Sequence, residues 1–113
     1  MDDGKLNEFL SNLNKKGIPA AQFEKNCHKW ISQLLTRIHG KYLDDFRVVQ
    51  AVKMILDGVI RNNQIQILAP HVLSWMNDIL SRVTQASNAN TYLSILALFL
   101  RWVKFKLFIF NRT

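Results

Sequence analysis

The sequence is poor in the residue types on which many catalytic, metal-binding and disulfide-stabilised proteins depend. It contains one cysteine, four glycines and two prolines among 113 residues. One cysteine excludes an internal disulfide and a zinc site built from cysteines, and is typical of a reducing compartment. The glycines are scattered, so there is no glycine-rich phosphate loop. The first residues are acidic rather than basic and apolar, so no signal peptide is predicted.

Catalytic and metal-ligating patterns are lacking as well. His28, His39 and His71 lie on three separate segments, and none has the partner spacing found in zinc proteases. Cys27 follows the apolar spacing of its segment, which indicates a buried thiol rather than a nucleophile. We therefore predict no catalytic residue, no metal site and no cofactor, in a protein that is not an enzyme.

Acidic side chains are scarce in the second half of the chain. Residues 1–57 carry nine basic and seven acidic side chains, whereas residues 58–113 carry six basic side chains and only Asp78. The net charge of +7 favours an acidic protein surface or a nucleic acid as partner, or serves solubility alone. Three basic residues near the C-terminus could contact phosphate or form a solvated face: Arg101, Lys104 and Lys106.

Apolar residues make up 49% of the chain, and they recur at helical spacing. The pattern predicts an all-α protein with five helices: a short one over 7–13, a second from Pro19 to before Gly40, a third capped by Asp44 or Asp45, a fourth that opens at Pro70, and a fifth from Tyr92, capped by Asn90 or Thr91. The same spacing places Phe46 on the apolar side of the third helix, and Leu73 and Leu80 on that of the fourth.

Two segments of the chain form an internal repeat. Residues 30–38 align with residues 75–83, with identical or similar residue types at every position and identical Trp, Leu and Arg. A helix pair repeated after about 40–47 residues is typical of HEAT and armadillo proteins. We predict two stacked HEAT/armadillo-like helix pairs preceded by a short helix; an unrelated five-helix bundle is the alternative. Two pairs are fewer than such arrays normally need, which favours a fragment of a longer array or self-association.

The repeat supplies four candidate residues for partner binding. Trp30 and Trp75 occupy equivalent positions, where they serve as wedges in the core or as anchors for a partner. Arg37 and Arg82 follow seven residues later, so their stems pack while their guanidinium groups reach solvent. There they would form salt bridges to neighbouring repeats or bind acidic partners.

The most apolar segment runs over residues 93–110, but a transmembrane span is not expected. Its three basic residues would each cost roughly 2.5–3.5 kcal/mol at the centre of a bilayer. Association with a membrane surface stays open, because aromatic and basic residues are mixed here. We predict one domain over residues 1–103 and an apolar, basic tail over residues 104–113. The tail is an oligomer contact or a truncated or non-native end.

Residues 34–38 and residues 71–76 carry a resemblance to a known family. Leu-Leu-Thr-Arg-Ile and His-Val-Leu-Ser-Trp-Met resemble the N-terminal helical-repeat region of the Rix/Pelp ribosome-maturation scaffolds. The similarity covers residues 25–103 and stops after Val103, where the family continues with further repeats. It implies a nucleolar scaffold in assembly of the large ribosomal subunit, with no catalytic residues to transfer.

These observations together favour a non-enzymatic scaffold for protein–protein interactions. Its partners are expected to be other proteins or a second copy of the chain. A small basic helical protein that binds RNA through its C-terminal half is the alternative. The expected location is intracellular, in the nucleus or nucleolus or in the cytoplasm.

Overall fold

The computed structural model describes residues 1–15 and 17–112, the last four of them by backbone alone. The chain is 81% helical, which confirms the predicted all-α class. No strand occurs in the part of the chain so described. There are five helices: α1 (Asp3–Lys15), α2 (Ala20–Ile38), α3 (Phe46–Arg61), α4 (Ile65–Val83) and α5 (Ala89–Arg112).

The helices form two layers. In one layer α2 contacts α4, and in the other α3 contacts both α1 and α5. The layers are joined because α2 packs on α3 and α4 packs on α5. Each of these pairs is connected by a short loop, so one helix pair, α2–α3, is stacked on a second, α4–α5. The molecule is flat as a result, with extents of 42 × 31 × 17 Å.

The C-terminal end of α2 and the start of α3 follow from local sequence and match the prediction. Gly40, just past the end of α2, has a φ of 75°, a left-handed conformation that glycine adopts without a steric penalty. Asp45 is the N-cap of α3, where its carboxylate accepts a hydrogen bond from the backbone N–H of Arg47. Asn63, with a φ of 56°, reverses the chain after α3.

The predicted starts of three helices are wrong by several residues. Helix α1 begins at Asp3 rather than residue 7, because Asp2 caps it and Leu6 is buried. Helix α4 begins five residues before Pro70, because burial of Ile65 and Leu68 requires a helical turn there. Pro70 is tolerated inside the helix since this flank is exposed, and water can reach the carbonyl that loses its N–H partner.

Helix α5 begins at Ala89 and not at Tyr92, and it continues without a break to Arg112. The segment set apart in the sequence as a tail is therefore an extension of the same helix. Val103 and Phe105 pack against the core, whereas Leu107 and Phe108 are more than half exposed. The described side chains thus show no structural boundary at residue 104.

The core lies between the two layers and is built from all five helices. Its tightest point is between α2 and α3, where Gly58 faces the ring of Phe23. A Cβ atom added to Gly58 would lie 2.6 Å from Cζ of Phe23, well inside contact distance. Glycine is required here because the aromatic ring occupies the space that a methyl group would fill.

Candidate partner-binding surface

Two leucines of α4 lie on the flank that faces away from the first helix pair. His71 stacks on His28 of α2, with ring centroids 4.2 Å apart, and Asp78 binds His39 at the end of α2. Residues two apart on a helix point about 200° apart. Leu73 and Leu80, each two residues further on, therefore point away from α2. They are 69% and 52% exposed, so the prediction that they point inward is wrong.

Three leucines of α5 continue this surface. Leu93 follows Thr91 by two residues, and Thr91 binds the loop between α2 and α3, so Leu93 is turned away from the first pair. Leu100 and Leu107 repeat at intervals of seven residues and so lie on the same flank as Leu93. All three are between 50% and 54% exposed. We call the surface formed by the five leucines the open end: Leu73, Leu80, Leu93, Leu100 and Leu107.

The opposite end of the stack is covered by polar side chains. Helix α1 packs on α3, and its large apolar residues are buried or face the core: Leu6, Phe9, Leu10 and Leu13. Its outward face carries charged and amide groups such as Lys5, Glu8 and Asn12. In helical stacks a polar outer face terminates the array. The molecule therefore has a polar end at α1 and an apolar end at α4 and α5.

One positive charge lies within the open end. Lys104 is exposed, one turn from Leu100 and from Leu107 on the same flank of α5. It forms no ion pair with the residues that the structure describes. Asp78 is the one acidic residue of α4 and α5. Its carboxylate faces α2, where it binds His39, and it also binds Arg82 of its own helix. The open end thus has a cation and no carboxylate.

Arg37 lies within an internal ionic cluster. Its side chain is 11% exposed, and it donates hydrogen bonds to Asp45 (3.1 Å), to the carbonyl of Met1 (3.0 Å) and to Asp3. These bonds hold the start of α1 against the loop after α2. The pKa of Asp3 is lowered, chiefly by its hydrogen bond to Arg37. The expectation that this guanidinium reaches solvent is wrong, because the folded chain supplies all of its partners.

Most of the other basic candidates have partners as well. Arg82 binds Asp78 one turn earlier on α4, and Arg101 binds Asp57 of α3, both at 3.1 Å. Lys106 is placed with its ammonium group 6.0 Å from the ring centroid of Trp102. Among the basic residues singled out in the sequence, Lys104 is the one that the described part of the chain leaves without an anionic or aromatic partner.

The two repeat tryptophans are partly buried in aromatic clusters. Trp30 contacts Phe9 of α1 and Phe23 of its own helix, with centroids 5.1 and 5.7 Å away. Trp75 stacks between His71 and Phe99, at 5.6 and 5.8 Å. Each ring fills a junction between helices, which is the wedge interpretation of these positions. Neither lies among the open-end leucines.

The loop between α2 and α3 is tied to the start of α5. Oδ1 of Asp44 accepts hydrogen bonds from the backbone N–H (2.9 Å) and the hydroxyl (2.8 Å) of Thr91. These bonds lower the pKa of Asp44. The same loop leaves three side chains about 80% exposed, namely Tyr42, Leu43 and Phe46. The prediction that Phe46 points inward is therefore wrong.

A second set of bonds joins the two helix pairs through His39. Nε2 of His39 lies 3.0 Å from Asp78, and Nδ1 lies 2.7 Å from the hydroxyl of Tyr92. Burial, reinforced by the positive charge of Arg82, lowers the pKa of His39 against the opposing effect of Asp78. Tyr92 is 2% exposed. The imidazole therefore joins the half-exposed carboxylate of Asp78 on α4 to the buried hydroxyl of Tyr92 on α5.

Other chemistry on the described part of the molecule is limited. Cys27 is buried, and burial raises the pKa of its thiol, which disfavours the reactive thiolate. Within residues 1–15 and 17–112, no three histidine, cysteine, aspartate or glutamate side chains are placed to hold a metal ion. None of the helices, over the same residues, has the length and apolar character needed to cross a membrane.

The open end was missed in the sequence because each leucine fits a core stripe when its helix is considered alone. The signal was the width of the apolar arc on α4, where Val72 and Leu73, and then Ile79 and Leu80, are adjacent. Adjacent apolar residues indicate a helix covered on more than one side.

Comparison of the chain with models of known families, with curated proteins and with solved structures finds no match.

Proposed function

We propose that the protein is a non-enzymatic protein–protein interaction module whose open end binds a partner protein. The observation that carries the proposal is the set of five leucines, each 50–69% exposed, on one flank of the second helix pair. Exposed apolar side chains gathered on one flank are typical of interaction sites.

The repeat gives a direct comparison between a covered and an uncovered flank. Leu35 and Leu80 occupy equivalent positions in the aligned segments, yet Leu35 is 2% exposed and Leu80 is 52% exposed. Leu35 lies two turns from His28, on the side of α2 against which α4 packs. Leu80 has the same position on α4, and in the described part of the chain no helix covers it. A partner helix at the open end would cover the flank of α4 in the way that α4 covers the equivalent flank of α2.

A role in maturation of the large ribosomal subunit, in the nucleus or nucleolus, is a further part of this proposal. Its support is the resemblance of residues 34–38 and 71–76 to the Rix/Pelp scaffolds. A tagged protein is expected to concentrate in nucleoli and to sediment with precursors of the large subunit. A uniform cytoplasmic distribution would refute this part and leave the interaction proposal standing.

Nucleic-acid binding is the alternative that the net charge of +7 favours. Such binding relies on cations that are free to contact phosphates. Arg37, Arg82 and Arg101 are engaged by carboxylates of the same chain, which favours the protein-binding proposal. RNA affinity that falls by several logarithmic units per logarithmic unit of salt would instead support the alternative.

A photo-crosslinking amino acid placed at Leu100 tests the main proposal in cells that express the protein. Irradiation is expected to give discrete crosslinked adducts. Mass spectrometry of these adducts is expected to find peptides of a partner protein. The same amino acid at Gln50, an exposed residue of α3 outside the open end, is the matched control. Equal adducts at both positions, or none at position 100, would overturn the proposal that the open end binds a protein.

A further inference from the structure

We infer that the partner presents to the open end an amphipathic helix with an aspartate or glutamate beside its apolar stripe, placed to pair with Lys104. This inference rests on the proposed function and adds to it the chemistry of the partner.

The shape of the open end fits a helix. Leu93, Leu100 and Leu107 form one row along α5, and Leu73 and Leu80 form a second row along α4. Rows of side chains on neighbouring helices leave a groove between them into which the side chains of a further helix fit. The row on α5 spans fifteen residues, or about 21 Å at a rise of 1.5 Å per residue, so a helix of about fifteen residues would cover it.

The contact between α5 and α3 shows how a basic side chain beside an apolar contact is paired with a carboxylate. Where α5 packs on α3, Arg101 donates to the carboxylate of Asp57 at 3.1 Å. Lys104 lies three residues further along α5 on the flank of the open end, where the described chain supplies no carboxylate. A helix laid on the open end would bring its own side chains to the position that Asp57 holds on the other flank.

Charge also argues against a second copy of the chain as the occupant. Two open ends brought face to face would place two Lys104 side chains in one interface that contains no acidic residue. Each chain has a net charge of +7, and six of the seven charged residues after position 57 are basic. Like charges across an interface oppose association, whereas an acidic helix would be attracted.

A helical-peptide display library tests this inference. Peptides of eighteen residues would keep a fixed leucine stripe, and the positions beside the stripe would vary among Glu, Gln and Lys. Selection on the full chain is expected to enrich Glu, and selection on Lys104→Glu is expected to enrich Lys. Lys29→Glu, at an exposed position of α2 outside the open end, is the matched control and should select the same peptides as the unmodified protein.

Two measurements on the unmodified protein and its variants make each outcome decisive. An enriched Glu peptide is expected to bind Lys104→Glu about tenfold more weakly and Lys29→Glu with unchanged affinity, in fluorescence anisotropy at low salt. Enrichment that depends on Leu100 but ignores the charge at position 104 would refute the acidic partner and leave the open end as a docking site. Enrichment insensitive to Leu100→Asp, in a variant that keeps its helical circular dichroism, would count against the docking site itself.

Light scattering tests whether a second copy of the chain occupies the open end. The unmodified protein is expected to have the mass of one chain at the concentrations used for binding. A mass of two chains that falls to one in Leu100→Asp would show that a second copy occupies the open end, and would overturn the inference of an acidic partner helix.

Discussion

Replacing two open-end leucines by glutamine should lower the stability of the fold by about 1 kcal/mol for each leucine and leave the fold intact. Leu93 and Leu100 are 50% and 53% exposed, so about half of each side chain is in contact with the protein. Complete burial of a leucine contributes about 1.5–3 kcal/mol, so each replacement should lower the free energy of unfolding by about 1 kcal/mol. Leu34→Ala, at a fully buried site, should cost about 2–5 kcal/mol by itself.

Urea denaturation followed by circular dichroism measures these differences. The double variant should unfold in one cooperative transition with an unchanged dependence on urea and a slightly lower midpoint. With the photo-crosslinking amino acid moved to Leu80, crosslinking through the open end should fall sharply in the same variant. A loss of more than about 3 kcal/mol per leucine would mean that these side chains belong to the core, since only burial yields such costs. A folded variant with undiminished crosslinking would refute the binding surface.

Three further outcomes are expected from the packing and the ion pairs. Gly58→Ala should lower stability by about 1–3 kcal/mol because its methyl group would overlap the ring of Phe23. Gly4→Ala, at the start of α1, should be neutral or stabilising, because its methyl group would meet only Asp2 at an ordinary contact distance of 3.6 Å. Stabilisation at position 58 would refute the overlap. Arg37→Leu should cost about 2 kcal/mol in thermal unfolding, since Asp45 and the carbonyl of Met1 each lose a part-buried hydrogen bond, and an unchanged midpoint would contradict this. Because the folded-state pKa of His39 is lowered, protonation favours the unfolded chain, and stability should decline as the pH falls below 6.5. His39→Gln should remove the part of this decline that His39 causes. Parallel pH profiles of the variant and the unmodified protein would show that the decline arises from other groups.

The sequence predicted the features that depend on a few neighbouring residues. The end of α2 at Gly40 and the cap of α3 at Asp45 follow from glycine in a left-handed turn and from a carboxylate at a helix start. The all-α class follows from the spacing of apolar residues alone. The early start of α4 was missed because Pro70 is a strong local signal, whereas the burial of Ile65 and Leu68 that overrides it is tertiary.

The sequence carries a wide apolar arc on α4, but which side of that arc stays uncovered is again decided by tertiary packing. Leu35 and Leu80 are identical residues in matched surroundings, and only the presence of a helix beside one and not the other distinguishes them. Likewise, Asp44 has the local properties of a cap for α3, but its carboxylate binds Thr91 of α5 instead. Both outcomes are set by which helices become neighbours, and that information is distributed over the whole chain.

The contrast between the polar face of α1 and the leucines of the open end also constrains stoichiometry. A stack with two apolar ends could add further copies head to tail and grow into a filament. Here the outward face of α1 offers charged and amide groups that do not complement a leucine surface. The polar face of α1 therefore disfavours head-to-tail growth, and the proposed binding is confined to the open end. Binding at the open end should saturate at one partner per chain and yield closed complexes of fixed size.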